Sequence, residues 1–254
     1  MKPNVSSVHF CPIKSLSFQS AKTLTIKKGI GIEKDRIFAF SRGLNELDAT
    51  KVEKNPDQRE LIHFLTLKNS PILNKYNFKY ENETISILKD DKEITSYPIQ
   101  EKENLKKKLL ELELSLPNPT YLLKNELFPF YDTTNNSSVS NTISLINLNS
   151  IKDFIKKINK NINFKRFRGN IYINNLKALE ERNWINKIIS INNIKFKVLK
   201  NIPRCSATNL KISSNEADIN LPNMLNKIYG HIDMGIYLAP LNNGQIKVGD
   251  SLSF

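Results

Sequence analysis

The decapeptide NIPRCSATNL, residues 201–210, sets Cys205 between Arg204 and a run of small polar residues. A packing cysteine is usually bordered by apolar residues, whereas these neighbours offer positive charge and hydrogen-bond donors, the surroundings that favour a thiolate. Cys205 is therefore the candidate reactive thiolate. Cys11, in the apolar stretch VHFCPI, reads instead as core filler. Two cysteines so far apart make neither a secreted disulfide framework nor the four-thiolate ligand set of an ordinary iron–sulfur cluster. The three histidines are dispersed and form no zinc site of usual spacing. His9 and His63 alternate with apolar residues in the manner of structural side chains. His231 and Asp233, in GHIDMGIYL, read as a turn leading into a strand and not as an acid–base pair.

Cations dominate the charge. The chain has 254 residues and a formal net charge of +13, with its lysines scattered through segments such as KKGIGIEK, LKKKLLELEL and IKDFIKKINK. That dispersal fits solvated faces better than a nucleic-acid surface, which would need basic and aromatic residues on one stacking face. The scarcer arginines are the more informative cations. No run approaches the roughly 20 apolar residues of a membrane-spanning helix, and the N-terminus has no sustained apolar stretch. The expectation is a cytoplasmic protein with no membrane partner.

The elements that must position these groups are mostly short strands. VSSVHF, TLTI, RIFAF, LIHFLTL, TISILKD and EITSYPI are β-rich runs separated by Gly, Asn and Asp, and LKDDKEI predicts a hairpin turn. Residues 100–114 predict a helix on Leu105, Leu109, Leu110 and Leu112. SLPNPTYLL then reads as a linker or extended edge, followed by the polar loop YDTTNNSSVSN. In the second half, TISLINL, GNIYINN, the pair IISI and IKFKVL around Asn192-Asn193, and GQIKVGDSLSF predict strands. NSIKDFIKKINK predicts a helix with Ile151, Phe154, Ile155 and Ile158 on one face, capped by Asn149 or Ser150. LPNMLNKIYG predicts a short helix ending at Gly230. The fold class expected is mainly β with some α, an α+β protein of two units, residues 1–116 and 117–254.

Six fragments in order, CPIKSL, GIEKDRIFAF, RFRGNIYI, PRCSATNL, INLPNMLNKIYGHIDMGIYL and GQIKVGDSL, carry a resemblance. The chain resembles the MOSC-domain proteins with an N-terminal MOSC β-barrel domain. Within them it is similar to bacterial relatives of the mitochondrial amidoxime-reducing component and to the C-terminal part of molybdenum cofactor sulfurase. The resemblance implies two β-barrel-like units with peripheral helices and a molybdenum cofactor, a molybdopterin, with Cys205 as ligand to the metal. It further implies that Lys14, Ser15, Arg36, Arg168 and Asn170 contact the cofactor, with Arg204 able to favour the thiolate. Arg166 joins them as a position not shared by all relatives. Arginine suits bidentate phosphate binding, and a thiolate is a fitting soft ligand for molybdenum. Two departures stand out. Gly169 replaces a frequent proline and is expected to loosen the backbone before Asn170, and Pro203 replaces a serine, removing an N–H and a hydroxyl.

The implied activity is reduction of the N–O bond of a small N-hydroxylated substrate. No flavin or nicotinamide fingerprint is present and the chain ends shortly after GQIKVGDSL, so a separate reductase or electron-transfer protein is the expected partner. The alternative is sulfur handling, with a persulfide on Cys205 or presentation of the cofactor to another enzyme. Pyridoxal phosphate is not expected to bind, because there is no room for a desulfurase portion, and nucleic acid is not an expected partner.

Overall fold

A computed structural model describes residues 2–131 and 142–253. The polar loop expected after Tyr131 lies outside the described residues. The chain is a strand-rich mixed α/β protein, as its short β-rich runs predict. In chain order the strands are β1 (Asn4–Phe10), β2 (Gln19–Ala21), β3 (Thr23–Lys27), β4 (Gly31–Ile32), β5 (Phe38–Phe40), β6 (Asn77–Glu81), β7 (Thr84–Lys89), β8 (Lys92–Pro98), β9 (Leu122–Lys124), β10 (Ile143–Asn147), β11 (Ile171–Asn174), β12 (Ile188–Ile191), β13 (Ile194–Pro203), β14 (Asp233–Pro240), β15 (Gly244–Lys247) and β16 (Leu252–Ser253). The α-helices are α1 (Glu46–Lys54), α2 (Lys102–Leu112), α3 (Leu148–Ile158) and α4 (Leu221–Tyr229).

The largest sheet has the order β16-β12-β13-β14-β10-β11-β1-β2. Its pairings are antiparallel except β10 with β11. Strand β1 pairs with β11, Val5 opposite Ile173 and Val8 opposite Ile171, while β3 pairs with β15, Ile26 opposite Gly244. Residues 4–27 are thus hydrogen-bonded into the second half of the chain, and the expected boundary at 116 does not separate the sheets. Val5 and Val8, brought to one face by the bulge between Val5 and Ser7, and the alternating Leu24 and Ile26 drive this pairing, because those side chains are buried against Ile171, Ile173, Ile236 and Ile246 in one core.

A second core gathers β5, the β6-β7-β8 sheet and α2, with Phe38, Phe40, Phe78, Ile85, Leu105 and Leu109 at its centre. Ala207 and Leu210, from the segment just after Cys205, pack into this same core. Asp90 and Asp91 take positive φ in the β7-β8 hairpin, and Asn192 does so between β12 and β13. LIHFLTL is not a strand: residues 61–63 make a 3-10 turn, and only Phe64 bridges Ser41. There Glu60 and His63 form a reciprocal cap, Glu60 N donating to His63 Nδ1 at 3.1 Å, which favours the turn. Helix α3 buries Ile151 and Phe154, but its cap is Asn147, whose side chain accepts from Asn149 N; Ser150 Oγ donates instead to buried Glu181. Helix α4 ends at Gly230 with φ 74°, as expected.

Gly169 does not loosen the chain. A Cβ there would lie 2.7 Å from Ile146 Cδ1 and 3.0 Å from Tyr172 Cζ, so the glycine allows close packing beside Asn170. Gly235 is more constrained, with φ 83° and a Cβ position 2.5 Å from the Leu145 carbonyl oxygen.

Two outcomes follow for stability. Gly235→Ala meets both left-handed strain and backbone overlap and should cost about 2–4 kcal/mol in urea unfolding, whereas Gly230→Ala, with open space around it, should cost about 1 kcal/mol. His9 is buried between the Ser7 and Ser20 hydroxyls, each 3.1 Å from a ring nitrogen. Burial, with help from Lys165, lowers its pKa from 6.5 to about 4. The folded state therefore resists protonation, so its stability is full above the unfolded pKa and declines as pH falls from 6.5 toward 4. That decline should be on the order of 2–3 kcal/mol, and His9→Gln should flatten it when urea midpoints are compared across the window.

Candidate functional site

Strand β1 delivers residues 11–16 to the seam between the two cores. The Cys11 thiol is buried and directed at the carbonyls of Ile13 (3.0 Å) and Leu16 (3.4 Å), and burial pushes its pKa up. It is an inert group, as its apolar neighbours predict. Lys14 is also buried, its Nζ donating to the carbonyls of Phe130 (3.2 Å) and Tyr131 (2.6 Å). Ser15, at φ 63°, accepts from Leu67 N at 3.2 Å and so anchors the turn that carries Lys68.

Asp35 and Arg36 sit between β4 and β5. Asp35 is wholly buried and Arg36, at φ 55°, donates to its Oδ2. The Arg36 guanidinium lies 5.5 Å from the Phe18 ring centroid and 5.4 Å from that of Tyr131. Arg168 comes to the same ring from the other half of the chain, 5.1 Å from its centroid, and donates to the Leu16 carbonyl at 2.6 Å. Its φ is 53°. Three of the eight expected residues, Ser15, Arg36 and Arg168, thus hold a left-handed backbone that costs an L-residue about 1 kcal/mol or more.

Asn170 is at the site but its amide is fully used. Oδ1 accepts from Ser144 N (3.2 Å) and Ser144 Oγ (2.8 Å), while Nδ2 donates to the His9 carbonyl (3.2 Å) and Asp35 Oδ1 (3.4 Å). It ties β1 and β10 together with the Asp35 loop.

Strand β13 ends at Pro203 and the chain turns at once into a 3-10 turn, Ser206–Asn209, with Cys205 at its head. The Cys205 carbonyl accepts from Thr208 N (3.0 Å) and Thr208 Oγ1 (2.8 Å), and its side chain is exposed. Two arginines hold this turn. Arg204 is buried and donates to the carbonyls of Met234 and Phe167. Arg166 donates to the carbonyls of Thr208 (3.1 Å) and Asn209 and pairs with Asp218 at 2.7 Å. Arg166 does not line the cleft that the other expected residues share; it acts on the Cys205 turn from behind.

That cleft measures about 220 Å³ and is lined by Lys14, Ser15, Arg36, Arg168, Asn170, Arg204 and Cys205 together with Lys68, Tyr131, Thr142, Ser144 and Tyr237. Seven of the eight expected residues therefore meet in one place. Among the described lining residues five are cations and none is a carboxylate. Burial lowers the pKa of the Arg168 and Arg204 guanidiniums, a sign that desolvation penalises their charge and that an anion would relieve them. Lys68, Tyr131, Ser144 and Tyr237 had no local signal in the sequence, whereas Asp35 was adjacent to an expected arginine. Among the described residues no group of three or more His, Cys, Asp or Glu could hold a metal ion, so a metal at Cys205 would need most of its ligands from elsewhere. His231 and Asp233 lie outside the cleft: Asp233 pairs with Arg182 at 3.0 Å and His231 stacks on Tyr229 at 5.7 Å.

Residues 132–253 match the MOSC domain family. Among solved structures, the chain is similar to the YuaD protein from Bacillus subtilis, with 10% identity and a TM-score of 0.46 over 99% of this chain and 94% of that one. It is also similar to YiiM from Geobacillus stearothermophilus, with 18% identity and a TM-score of 0.35 over 43% of this chain and 52% of that one. No curated protein matches it at a significant level.

The different surroundings of the two thiols have a direct consequence. Native protein titrated with Ellman's reagent should release colour for Cys205 alone and rapidly, with Cys11 reacting only after addition of denaturant; two fast thiols in native buffer would contradict the burial of Cys11.

Proposed function

Starting from a chain whose residues 132–253 form a MOSC domain, a domain associated with molybdenum cofactor binding in general, we propose that the cleft holds that cofactor, with Cys205 as the protein ligand to molybdenum, and that the protein reduces N-hydroxylated compounds. The observation that carries the reading is the meeting, among the described residues, of one exposed cysteine with five cations and no carboxylate on a single cleft wall.

The donor set suits the group. A thiolate is a soft ligand, and its solitary position matches a metal that brings a dithiolene and oxo ligands with it. Arg36 and Arg168 have N–H groups without partners among the described residues, the complement of a terminal phosphate. The buried Tyr131 hydroxyl, also without a partner among the described residues, adds a donor at the same wall. Lys14 and Asn170 spend their donors on the protein and act by shaping the wall. Arg166 and Arg204 hold the Cys205 turn in place.

When bound, the cofactor supplies two-electron oxygen-atom chemistry. The protein's share is to present the thiolate at a fixed position, bind the anionic end away from it, and leave the face at Cys205 open to a small substrate. Reduction of an N–OH group to N–H with release of water takes up two electrons and two protons. This reading takes its electrons from a separate donor protein, for which a net charge of +13 suits an acidic carrier. The second reading, a persulfide carrier, has the exposure of Cys205 in its favour, since a partner enzyme would have to reach that sulfur.

Elemental analysis with a model amidoxime assay separates the two. Stoichiometric molybdenum and turnover with an artificial low-potential donor are expected, and Cys205→Ser should lower both to background while the circular dichroism spectrum and melting temperature stay unchanged. Metal-free protein carrying cyanide-releasable sulfur on Cys205 would favour the carrier instead.

A further inference from the structure

Asp35 is not on the cleft wall, yet it is the charged group on which the wall's phosphate-directed cation rests. Its carboxylate has no exposed surface. Oδ1 accepts from Cys11 N at 2.6 Å and from Asn170 Nδ2 at 3.4 Å, and Oδ2 accepts from Arg36. Arg36 has one edge on this carboxylate, the Phe18 and Tyr131 rings within 5.5 Å, and its remaining N–H groups without partners among the described residues, at the cleft, where a fifth of its side chain is exposed. The other wholly buried carboxylate among the described residues, Glu181, is held by Asn147 and Ser150 with no salt-bridged cation among them. The arrangement at Asp35 is thus specific to the arginine it orients.

We propose that Asp35 is a positioning residue that holds Arg36 with one edge directed into the cleft, so that the site's affinity for a phosphate-bearing ligand depends on a carboxylate the ligand does not touch. This rests on the reading of the cleft as a site for the cofactor's phosphate. The chemistry requires a carboxylate because both oxygens act as acceptors, one toward the Cys11 amide and one toward the guanidinium. An asparagine in the same place has one acceptor and one donor, and either orientation of its amide sets a donor against a donor. A planar fork holds its Asp35 edge and its ligand edge in fixed directions, whereas a lysine's ammonium, although it has three donors, is a point charge on a flexible stem that the carboxylate cannot orient in the same way.

The sign of the effect distinguishes positioning from simple charge. Asp35 opposes an incoming anion electrostatically, so if it contributed charge alone, Asp35→Asn would tighten anion binding. If it positions Arg36, the same change weakens binding.

The test is calorimetric titration of inorganic phosphate into the full chain, produced in cells unable to make the pterin cofactor, for wild type, Asp35→Asn, Arg36→Met and the double variant. Each single variant should bind about tenfold more weakly, the loss of one charge-assisted contact, and the double variant no more weakly than either. Unchanged or tighter binding by Asp35→Asn, or losses that add in the double variant, would overturn the proposal. Should Asp35→Asn fail to fold, Arg36→Lys decides: it should lose as much affinity as Arg36→Met, and wild-type affinity in Arg36→Lys would overturn the positioning role. Absence of phosphate binding by the wild type would overturn the anion-site reading, and this inference with it.

Discussion

A guanidinium or ammonium taken out of water must find acceptors within the protein, and around this cleft five of them do. Lys14 uses the carbonyls of Phe130 and Tyr131, Arg36 the carboxylate of Asp35, Arg166 the carbonyls of Thr208 and Asn209 with Asp218, Arg168 the carbonyl of Leu16, and Arg204 the carbonyls of Met234 and Phe167. Leaving any of these cations unpaired in a buried place would cost several kcal/mol. The loops that supply the acceptors are therefore not free to move apart: Lys14, Arg166, Arg168 and Arg204 each fasten a segment of one part of the chain to a segment of another, while Arg36 is held by the neighbouring Asp35.

The consequence for the Cys205 turn is direct. Its preceding residue is fastened to Met234 and Phe167, its far end to Arg166, and its apolar side chains Ala207 and Leu210 to the core built mostly by residues before 116. An exposed cysteine would ordinarily be mobile, yet here the backbone on both sides of it is held by buried contacts. The same contacts explain why the cleft belongs to neither half alone. β1 and β3 are paired into the second half's sheets, and Lys14, Ser15 and Arg36 follow those strands to the seam where Arg168 and Cys205 already stand.

Charge at the cleft is arranged in depth. Among the described residues the charged groups of the wall are all cations, while the carboxylate bonded to one of them, Asp35, is placed behind Arg36 with no exposed surface. An anion entering the cleft meets donors that the protein has already oriented, and this preorganisation avoids the cost of gathering them on binding. Left-handed backbone at Ser15, Arg36 and Arg168 is the local strain that accompanies it, stabilised by the sheets on either side.

Strand-rich architecture was legible in the sequence because alternation and turn residues are local: the Asp90-Asp91 and Asn192 turns, the Gly230 cap and the amphipathic faces of α2 and α3 all need only neighbours a few residues away. Motif order named Lys14, Ser15, Arg36, Arg168, Asn170 and Cys205, and the fold brings those six to one cleft. Less legible was what each side chain does. LIHFLTL has the composition of a strand, but a reciprocal Glu60–His63 cap turned it. Arg166 and Arg204 looked like ligand-binding cations, yet their acceptors are carbonyls more than 25 residues away in sequence, at Thr208, Met234 and Phe167. Asp35 carried no signal of its own beside Arg36, and only the approach of Asn170 and the burial of the loop made it the hidden partner of Arg36. Residue type and local spacing determine which groups are available for chemistry; the partner of each charged group is decided by long-range packing, because desolvation, which sets whether a charge faces a ligand or the protein's own carbonyls, exists only once the chain has folded.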